Sequence, residues 1–244
     1  MLKMNLFIGV LVFIYGLVLR SFFNCVGLRW VLDKSIAGRS KCPKCDATLG
    51  ALNLIPVFSF LFQSGKCHNC KTKISWIYPL MELATAVSYL FVYLTYGLSV
   101  DFVIGIIFMS FLLTSAVTDY KEGYVLDKVV IPPTIIILLL TIFFKEYGLL
   151  MNVVPAIVVF LLLLIPVKMG KLGSGDVGII ADSFLVHSML FGSISMLLSS
   201  TVTLIYMLIF KKDRIPFIPF WAIGNLLTYI AIYLFGNYNF GMFL

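Results

Sequence analysis

Long apolar runs alternate with short polar connections along the chain, and this pattern predicts membrane-spanning helices. A helix needs about 20 residues, within a range of about 17–25, to cross a bilayer. The run 177–210 is too long for one crossing, so we divide it near Phe191 and Gly192, where no charge marks a boundary. The predicted helices cover residues 4–24, 77–97, 102–118, 129–144, 148–167, 177–191, 192–210 and 216–236. The pattern therefore predicts an all-α polytopic membrane protein with about eight transmembrane helices.

Composition supports a membrane protein and excludes an ordinary soluble domain. Of the 244 residues, 61% are hydrophobic and only 12% are charged, whereas soluble domains carry about 25% charged residues. The net charge of +7 first indicates cytoplasmic loops and anionic lipid in such a chain. Because the basic residues are spread over several loops, we predict no nucleic-acid partner. Arg20 and bulky Phe22 and Phe23 follow the first run in place of a small-residue cleavage site, so we expect a retained span rather than a signal peptide.

The distribution of basic residues predicts the orientation of the chain. If the N-terminus lies outside and eight helices alternate, only Lys3 and Lys145 of the 18 Lys and Arg lie outside. Cytoplasmic loops carry the excess of Lys and Arg in membrane proteins, so this orientation is favoured. Asp119 then ends the third predicted helix and Asp176 precedes the sixth, which places both carboxylates on the cytoplasmic side.

A polar insert, residues 25–76, separates the first helix, 1–24, from a predicted seven-helix membrane core, 77–244. It carries two C-x2-C pairs, which suit a tetrahedral zinc site, and a reducing cytosol argues against disulfides. The alternative is unmetallated thiols or a redox pair. With four cysteine ligands, no position is open for catalysis, so the zinc would be structural. The predicted metal ligands are Cys42, Cys45, Cys67 and Cys70.

Asp119 and Asp176 are the leading candidates for chemistry. A carboxylate beside a membrane span is costly unless it faces water, a partner or a substrate path. Two carboxyls that meet can hold one ionised and one protonated group, the pairing used in aspartic proteolysis. A single aspartate at a helix end is more often a solvated cap. The competing carboxylates are Glu82, Glu122, Asp127 and Asp182.

An ordered series of motifs resembles a known family, the type IV prepilin leader peptidases, which are bacterial membrane aspartic proteases of the GxGD kind. The resemblance covers nearly the whole chain. The motifs are Ser21-Phe22-Phe23-Asn24, Cys42-x-x-Cys45, Asn53-Leu54-Ile55-Pro56, Cys67-x-x-Cys70, Ile74-Ser75, Tyr78-Pro79-x-x-Glu82-Leu83, Asp119 with Asp127, and Gly173-x-Gly175-Asp176.

The resemblance implies a function for each matching position. Asp119 and Asp176 would be the two catalytic aspartates, with either one as the protonated partner, and the cysteine quartet would form the family's zinc-type cytoplasmic domain. Such enzymes remove the basic leader from prepilins or pseudopilins at the cytoplasmic face of the bacterial inner membrane, and many then methylate the new amine with S-adenosylmethionine. One departure is Gly178, where the family often has lysine. The resemblance does not predict the oligomeric state, the methyl-donor site or the natural pilin.

Two other classes of protein compete with this interpretation. One is a non-enzymatic membrane scaffold or transporter that uses the zinc insert as a docking module and the aspartates as an ion path. Against it, the chain shows no internal repeat, and its polar residues cluster at one face rather than at the midplane. The other is a preflagellin-type peptidase, which would not be expected to carry the four-cysteine insert.

Overall fold

The protein is all-helical in the computed structural model, which describes residues 2–31, 39–42, 44–125, 127–170, 172–211 and 215–235. Side chains are described from residue 6 onwards, except in 21–31 and at 51. The described residues form no strand, only two isolated antiparallel bridges, Lys41 with Thr48 and Lys66 with Lys73. The helices are α1 Leu2–Val31, α2 Phe58–Phe62, α3 Ile77–Tyr96, α4 Val100–Glu122, α5 Asp127–Phe144, α6 Val154–Lys168, α7 Ser174–Val186, α8 Met189–Phe210 and α9 Ile218–Phe235.

Among the described residues, six helical segments are long and apolar enough to cross a membrane. The predicted count of eight is therefore not confirmed. A shorter apolar stretch, Leu6–Arg20, lies in α1, and a π-helical turn, Leu149–Val153, leads into α6 and extends it. The six segments are Ile77–Tyr96, Val100–Glu122, Asp127–Phe144, Leu149–Lys168, Met189–Phe210 and Ile218–Phe235. Length and composition thus make the chain a multi-pass membrane protein.

The predicted helix 177–191 is wrong at its C-terminal end. Helix α7 stops at Val186, and His187 and Ser188 adopt extended backbone before α8 begins. Gly192 lies inside α8, where an added Cβ would come within 2.7 Å of the Phe184 ring. That glycine therefore permits close packing of α8 on α7 and does not end a helix. With 13 residues, α7 is about 20 Å long, shorter than the roughly 30 Å hydrocarbon core.

The chain divides into two compact units, Met1–Leu90 and Phe91–Leu244. In the first unit, α1 approaches α3 closely: a Cβ on Gly16 would lie 2.8 Å from the Ala86 Cα. The orientation prediction rests partly on Lys34, Lys171, Lys212 and Arg214, which lie outside the described residues. The orientation therefore stays a prediction.

In the second unit, α7 is the central helix. It packs against α4, α5, α6, α8 and α9. Val177 and residues 179–187 are buried. Three polar contacts hold it in place: Trp221 Nε1 donates to Ser183 Oγ at 2.8 Å, Lys145 Nζ donates to the Val186 carbonyl at 3.2 Å, and Thr134 Oγ1 lies 2.6 Å from Asp182 Oδ2. These contacts fix the position of the N-terminal turn of α7, which carries Asp176.

A candidate aspartate pair and a four-cysteine cluster

Asp119 lies near the C-terminal end of α4, beside the first turn of α9. Its side chain is buried, with 7% exposed. The Ile218 amide donates to Asp119 Oδ2 at 3.0 Å, and the Phe217 amide also hydrogen-bonds to the carboxylate. The first amides of a helix have no partner within it, so an acceptor is needed there. Asp119 therefore provides the acceptor that the first amides of α9 need.

Asp176 lies in the first turn of α7, outside the six candidate spans. Its amide donates to the Gly173 carbonyl at 3.2 Å, and the Gly173 amide hydrogen-bonds back to the carboxylate. The bond from the Gly173 amide to the Asp176 side chain is one half of a capping box, and Gly173 has no side chain to form the other half. Burial and the negative charge of Asp119 raise the pKa of Asp176 to about 6. The two carboxyls thus lie within electrostatic range of each other.

The two glycines before Asp176 are needed for different reasons. A Cβ on Gly173 would come within 3.0 Å of Asp176 Oδ2 and crowd the carboxylate. A Cβ on Gly175 would come within 2.9 Å of the Val125 Cβ, on the connection between α4 and α5. Because α4 also carries Asp119, close approach at Gly175 holds the start of α7 near the end of α4. The glycines therefore set the position of Asp176.

Gly175→Ala is expected to slow substrate cleavage by about tenfold or more, since small displacements of a reacting group are costly. The added methyl must push α7 away from Val125, and Asp176 moves with it. Gly178→Ala is the matched control, because its Cβ would meet only Val130 Cγ1 at 3.8 Å, an ordinary contact. Initial rates for the two variants check the prediction, and equal rates would contradict the role given to Gly175.

Asp176→Asn is expected to raise the melting temperature in detergent at about pH 8 and to leave it unchanged near pH 4. The folded-state pKa of about 6 lies above the ordinary Asp value of 3.8. The wild-type protein therefore has its full free energy of unfolding below the unfolded-state pKa of Asp176. It loses part of that free energy as the pH rises through about 6, because the buried carboxyl must ionise. After discounting for solvent screening, the gain at pH 8 is about 1 kcal/mol. Thermal unfolding followed by tryptophan emission measures it; a lower melting temperature at pH 8 would show that the carboxylate stabilises the fold.

Three of the four competing carboxylates, Glu82, Asp127 and Asp182, have other surroundings in the structure. Asp127 is exposed at the first residue of α5, where the helix dipole favours a negative charge. Asp182 is buried, with 3% exposed, and it contacts Thr134 deep in the helix packing. Glu82 is buried in the first unit, where Oε2 accepts the Val57 amide at 2.8 Å and the carboxylate interacts electrostatically with Arg20. Neither Asp127 nor Asp182 has a described contact with Asp119 or Asp176.

The structure brings the sulfur atoms of all four predicted ligands, Cys42, Cys45, Cys67 and Cys70, together. Their ligand atoms lie within 4.8 Å of one another, and Cys42 Sγ is 3.8 Å from Cys70 Sγ. Zinc–sulfur bonds of about 2.3 Å in a tetrahedron place neighbouring sulfur atoms about 3.8 Å apart. The donor set and its spacing therefore fit a four-coordinate metal ion with no open position.

The two cysteine pairs lie in two hairpins with the same backbone hydrogen bonds. Cys42 N donates to the Ala47 carbonyl at 3.0 Å, and Cys67 N donates to the Thr72 carbonyl at 2.8 Å. In each hairpin, the residue after the second cysteine takes a positive φ, 52° at Asp46 and 58° at Lys71. Each hairpin thus turns two sulfurs toward the same point, as the C-x2-C spacing predicts.

Side chains around the cluster add hydrogen bonds to the sulfurs. Asn69 Nδ2 lies 3.7 Å from Cys45 Sγ, and Thr72 Oγ1 lies 3.4 Å from Cys70 Sγ. Hydrogen bonds with the side chain and backbone of Thr72 lower the pKa of the Cys70 thiol to about 6, which favours the thiolate that binds metal. His68 is exposed in the second hairpin, and the candidate metal-binding group among the described residues consists of the four cysteines without it.

Sequence reasoning missed several residues that position the aspartates. The Phe217 and Ile218 amides were not anticipated, although the proline-rich run before and within the first turn of α9 is a signal for a helix start. The packing of Val125 on Gly175 and the hydrogen bond between Trp221 and Ser183 could not be recognised in the sequence. Both contacts depend on which segments become neighbours in the fold.

Fold and site together define a multi-pass helical membrane protein with an aspartate pair at helix ends and a four-cysteine cluster. Residues 14–96 match the model of the bacterial peptidase A24 N-terminal domain, and residues 106–209 match that of the type IV leader peptidase family. The chain belongs to the type IV leader peptidase family, and it is a membrane protease.

Curated relatives align with this chain over very different shares of their own length. The prepilin leader peptidase/N-methyltransferase of Bacillus subtilis (strain 168) is 31% identical over 231 residues, which cover 90% of this chain and 93% of that protein. The Neisseria gonorrhoeae protein of the same name is 40% identical over 93 residues, 38% of this chain and 32% of its own. The Escherichia coli O78:H11 type 4 prepilin-like proteins leader peptide-processing enzyme is 31% identical, covering 48% of this chain and 51% of its own. No solved structure matches the chain.

Proposed function

We propose that this chain cuts the basic leader from type IV prepilins or pseudopilins, with Asp119 and Asp176 as the catalytic pair, at the cytoplasmic face of the bacterial inner membrane. The observation that carries the proposal is geometric: the start of α7, which carries Asp176, lies against the end of α4, which carries Asp119, because Gly175 packs closely on Val125. In agreement with this, the charge of Asp119 contributes, after burial, to the raised pKa of Asp176. Two carboxyls that repel each other as carboxylates favour a singly protonated pair, which is the state that aspartic proteolysis requires.

The surroundings of the two carboxyls suggest their roles. Asp119 accepts two backbone amides at the start of α9, and such bonds oppose the cost that burial imposes on an ionised carboxylate. Asp176 accepts one, from Gly173, and has a pKa of about 6. We therefore assign the general base to Asp119 and the acid to Asp176, although the pair titrates as a unit.

In the proposed reaction, Asp119 takes a proton from a water molecule whose oxygen attacks the scissile carbonyl carbon. Asp176 donates a hydrogen bond to the carbonyl oxygen, which carries the developing negative charge. The carbon–nitrogen bond then breaks, the leaving amine takes a proton from the pair, and the pair returns to one proton. A scissile bond just outside the substrate's hydrophobic helix suits carboxyls at helix ends, because helical backbone is already hydrogen-bonded internally.

The names of the relatives support the proposed substrate, and the distribution of charge supports the proposed membrane face. The relatives are named for prepilin leader processing, and the distribution of basic residues favours a cytoplasmic position for the ends of α4 and α7. The names of two relatives also include N-methyltransferase. N-methylation of the new amine with S-adenosylmethionine is therefore part of the proposal, with no residue assigned to the methyl donor.

The cysteine cluster is proposed to hold a structural zinc ion. The sulfur spacing matches tetrahedral zinc thiolate, and the described insert has few buried apolar residues of its own: Phe60 is buried together with Cys42 and Cys67. Metal binding therefore supplies folding free energy that this segment lacks. Zinc would fix the two hairpins against each other and take no part in the cleavage.

The experiment that tests the proposal is cleavage of a purified prepilin with its leader intact, by the full chain in detergent or nanodiscs. Mass spectrometry of the product identifies the bond cut and shows any added methyl group. A product lacking the basic leader supports the peptidase. No cleavage of several prepilins and pseudopilins by folded protein would contradict it, and a cut product with no mass increase in the presence of S-adenosylmethionine would contradict methylation alone.

A further inference from the structure

The polar insert exposes several large apolar side chains. On α2, Phe58, Leu61 and Phe62 are exposed, Phe62 to 86%. Their spacing of three and four residues places them on one side of the helix. Leu52, Ile55 and Trp76 are also exposed, Leu52 to 79% and Trp76 to 71%. We call these six side chains the apolar face of the insert.

The apolar face is held in a defined position by the residues beneath it. Phe60 is buried, its ring centroid lies 4.5 Å from that of Trp76, and a Cβ on Gly65 would touch it at 3.0 Å. Val57, just before α2, has φ of 62°, an unusual conformation for a β-branched residue. Its amide is held by the Glu82 carboxylate at 2.8 Å. Backbone strain of this kind persists only where surrounding contacts over-determine it. The side chains of the apolar face are therefore exposed on an ordered segment.

The same hydrogen bond sets the depth of α2 relative to α3. Glu82 is the sixth residue of α3, which begins at Ile77 and is a candidate membrane span. At 1.5 Å per residue, Glu82 lies about 7.5 Å along the helix from its start. Because the Val57 amide contacts Glu82, α2 begins beside the first turns of the span rather than beyond its end. Trp76 directly precedes the span, a position typical of aromatic residues at the membrane interface.

The charges of the insert complement an anionic lipid surface. Between residues 39 and 76, the chain carries six Lys or Arg and a single acidic residue, Asp46. All six basic residues are exposed. A segment that combines exposed aromatic and leucine side chains with surrounding lysines has the composition of an element that lies in the membrane interface.

We propose that the apolar face of the insert is buried in the lipid interface, beside the start of α3, while its basic residues contact anionic headgroups. The four-cysteine cluster is then anchored to the membrane surface by α2. This goes beyond the proposed peptidase activity and does not depend on it. An apolar helix of a protein substrate is the other candidate occupant, but the depth set by Glu82 and the excess of basic residues favour lipid.

Quenching of tryptophan emission by brominated lipid tests the proposal. The full chain is placed in nanodiscs of phosphatidylcholine and phosphatidylglycerol, with and without bromine near the carbonyl level of the acyl chains. The emission of Trp76 is the difference between the wild type and Trp76→Phe. We expect bromine to remove most of this emission and aqueous acrylamide to leave most of it.

A second probe samples α2 itself. Phe62→Trp in the Trp76→Phe background is expected to behave as Trp76 does. The matched control is Thr48→Trp in the same background, since Thr48 is exposed on the first cysteine hairpin; acrylamide should quench it and brominated lipid should not.

Two results would overturn the proposal. In one, Trp76 and the probe at position 62 are quenched by acrylamide and unaffected by bromine. In the other, they become protected from acrylamide only after an uncleaved prepilin is added, which would assign the apolar face to a protein helix. Protection without substrate, together with quenching by bromine, supports insertion into lipid.

Discussion

Asparagine at position 119 or at position 176 is expected to reduce prepilin cleavage by about 10³-fold or more, in line with the loss of a general acid or base. The substitution keeps the shape of the side chain and removes its ability to ionise or to carry a carboxyl proton. Asp119→Asn leaves no base to take the water proton, whereas Asp176→Asn leaves no acid to protonate the carbonyl oxygen or amine. Single-turnover cleavage of a prepilin, with enzyme in excess, measures the loss in the chemical step.

A matched control separates chemistry from a general loss of negative charge. Asp127→Asn removes an exposed carboxylate at the first residue of α5, and we expect it to cleave at close to the wild-type rate. The double variant at 119 and 176 should be no slower than the worse single variant, because residues that act as a unit are not additive. Wild-type rates in either single variant would exclude the pair as the catalytic centre.

The expected stability of the variants makes the result easier to interpret. Asp176→Asn removes a carboxylate whose ionisation is opposed by burial and by Asp119, so the inactive protein should be at least as stable at pH 8 as the wild type. Asp119→Asn keeps an oxygen that can accept the Ile218 amide. A loss of cleavage therefore reports on chemistry rather than unfolding.

Several helices could be predicted from the sequence because charges or glycine mark their ends. The predicted helix 77–97 corresponds to Ile77–Tyr96, which ends before Gly97, and 129–144 corresponds to Asp127–Phe144, which ends before Lys145. The break after Val186 could not be predicted, since no charge separates α7 from α8. Gly192 suggested a break in the wrong place because a glycine that permits close packing looks the same in sequence as one that ends a helix.

The candidate site also has features that the sequence could predict and others that only the fold reveals. The aspartates were selected by a family pattern and the cysteines by their spacing, which are properties of side-chain type and order. The groups that hold Asp119 and Glu82 are the backbone amides of Ile218 and Val57. Every residue except proline offers such an amide, so only the folded chain shows which amide a carboxylate accepts.

Cys42→Ser is expected to abolish stoichiometric zinc binding and to unfold the two hairpins of the insert. Structural zinc sites in small domains contribute about 10–16 kcal/mol of apparent binding free energy, and removing one of four ligands loses most of it. Cys42 is buried, and its sulfur lies 3.8 Å from that of Cys70. The metal-binding group among the described residues has no fifth member that could take the place of the lost sulfur. Metal analysis of the purified chain should give about one zinc ion in the wild type and almost none in the variant.

The matched control for metal binding is Cys25→Ser, which removes the one cysteine outside the quartet and should retain zinc. Limited proteolysis distinguishes a structural metal from a catalytic one, because loss of zinc should expose segment 39–76 to cleavage while the helices after it stay protected. If Cys42→Ser retained zinc, or if chelation left the insert resistant to protease, the cysteines would not hold a structural metal. A different result is that the metal is lost and the rate of prepilin cleavage falls only as far as the fraction of molecules with a folded insert falls. Zinc would then act by holding the two hairpins together. We expect this last result, because four cysteine ligands leave no coordination position for water.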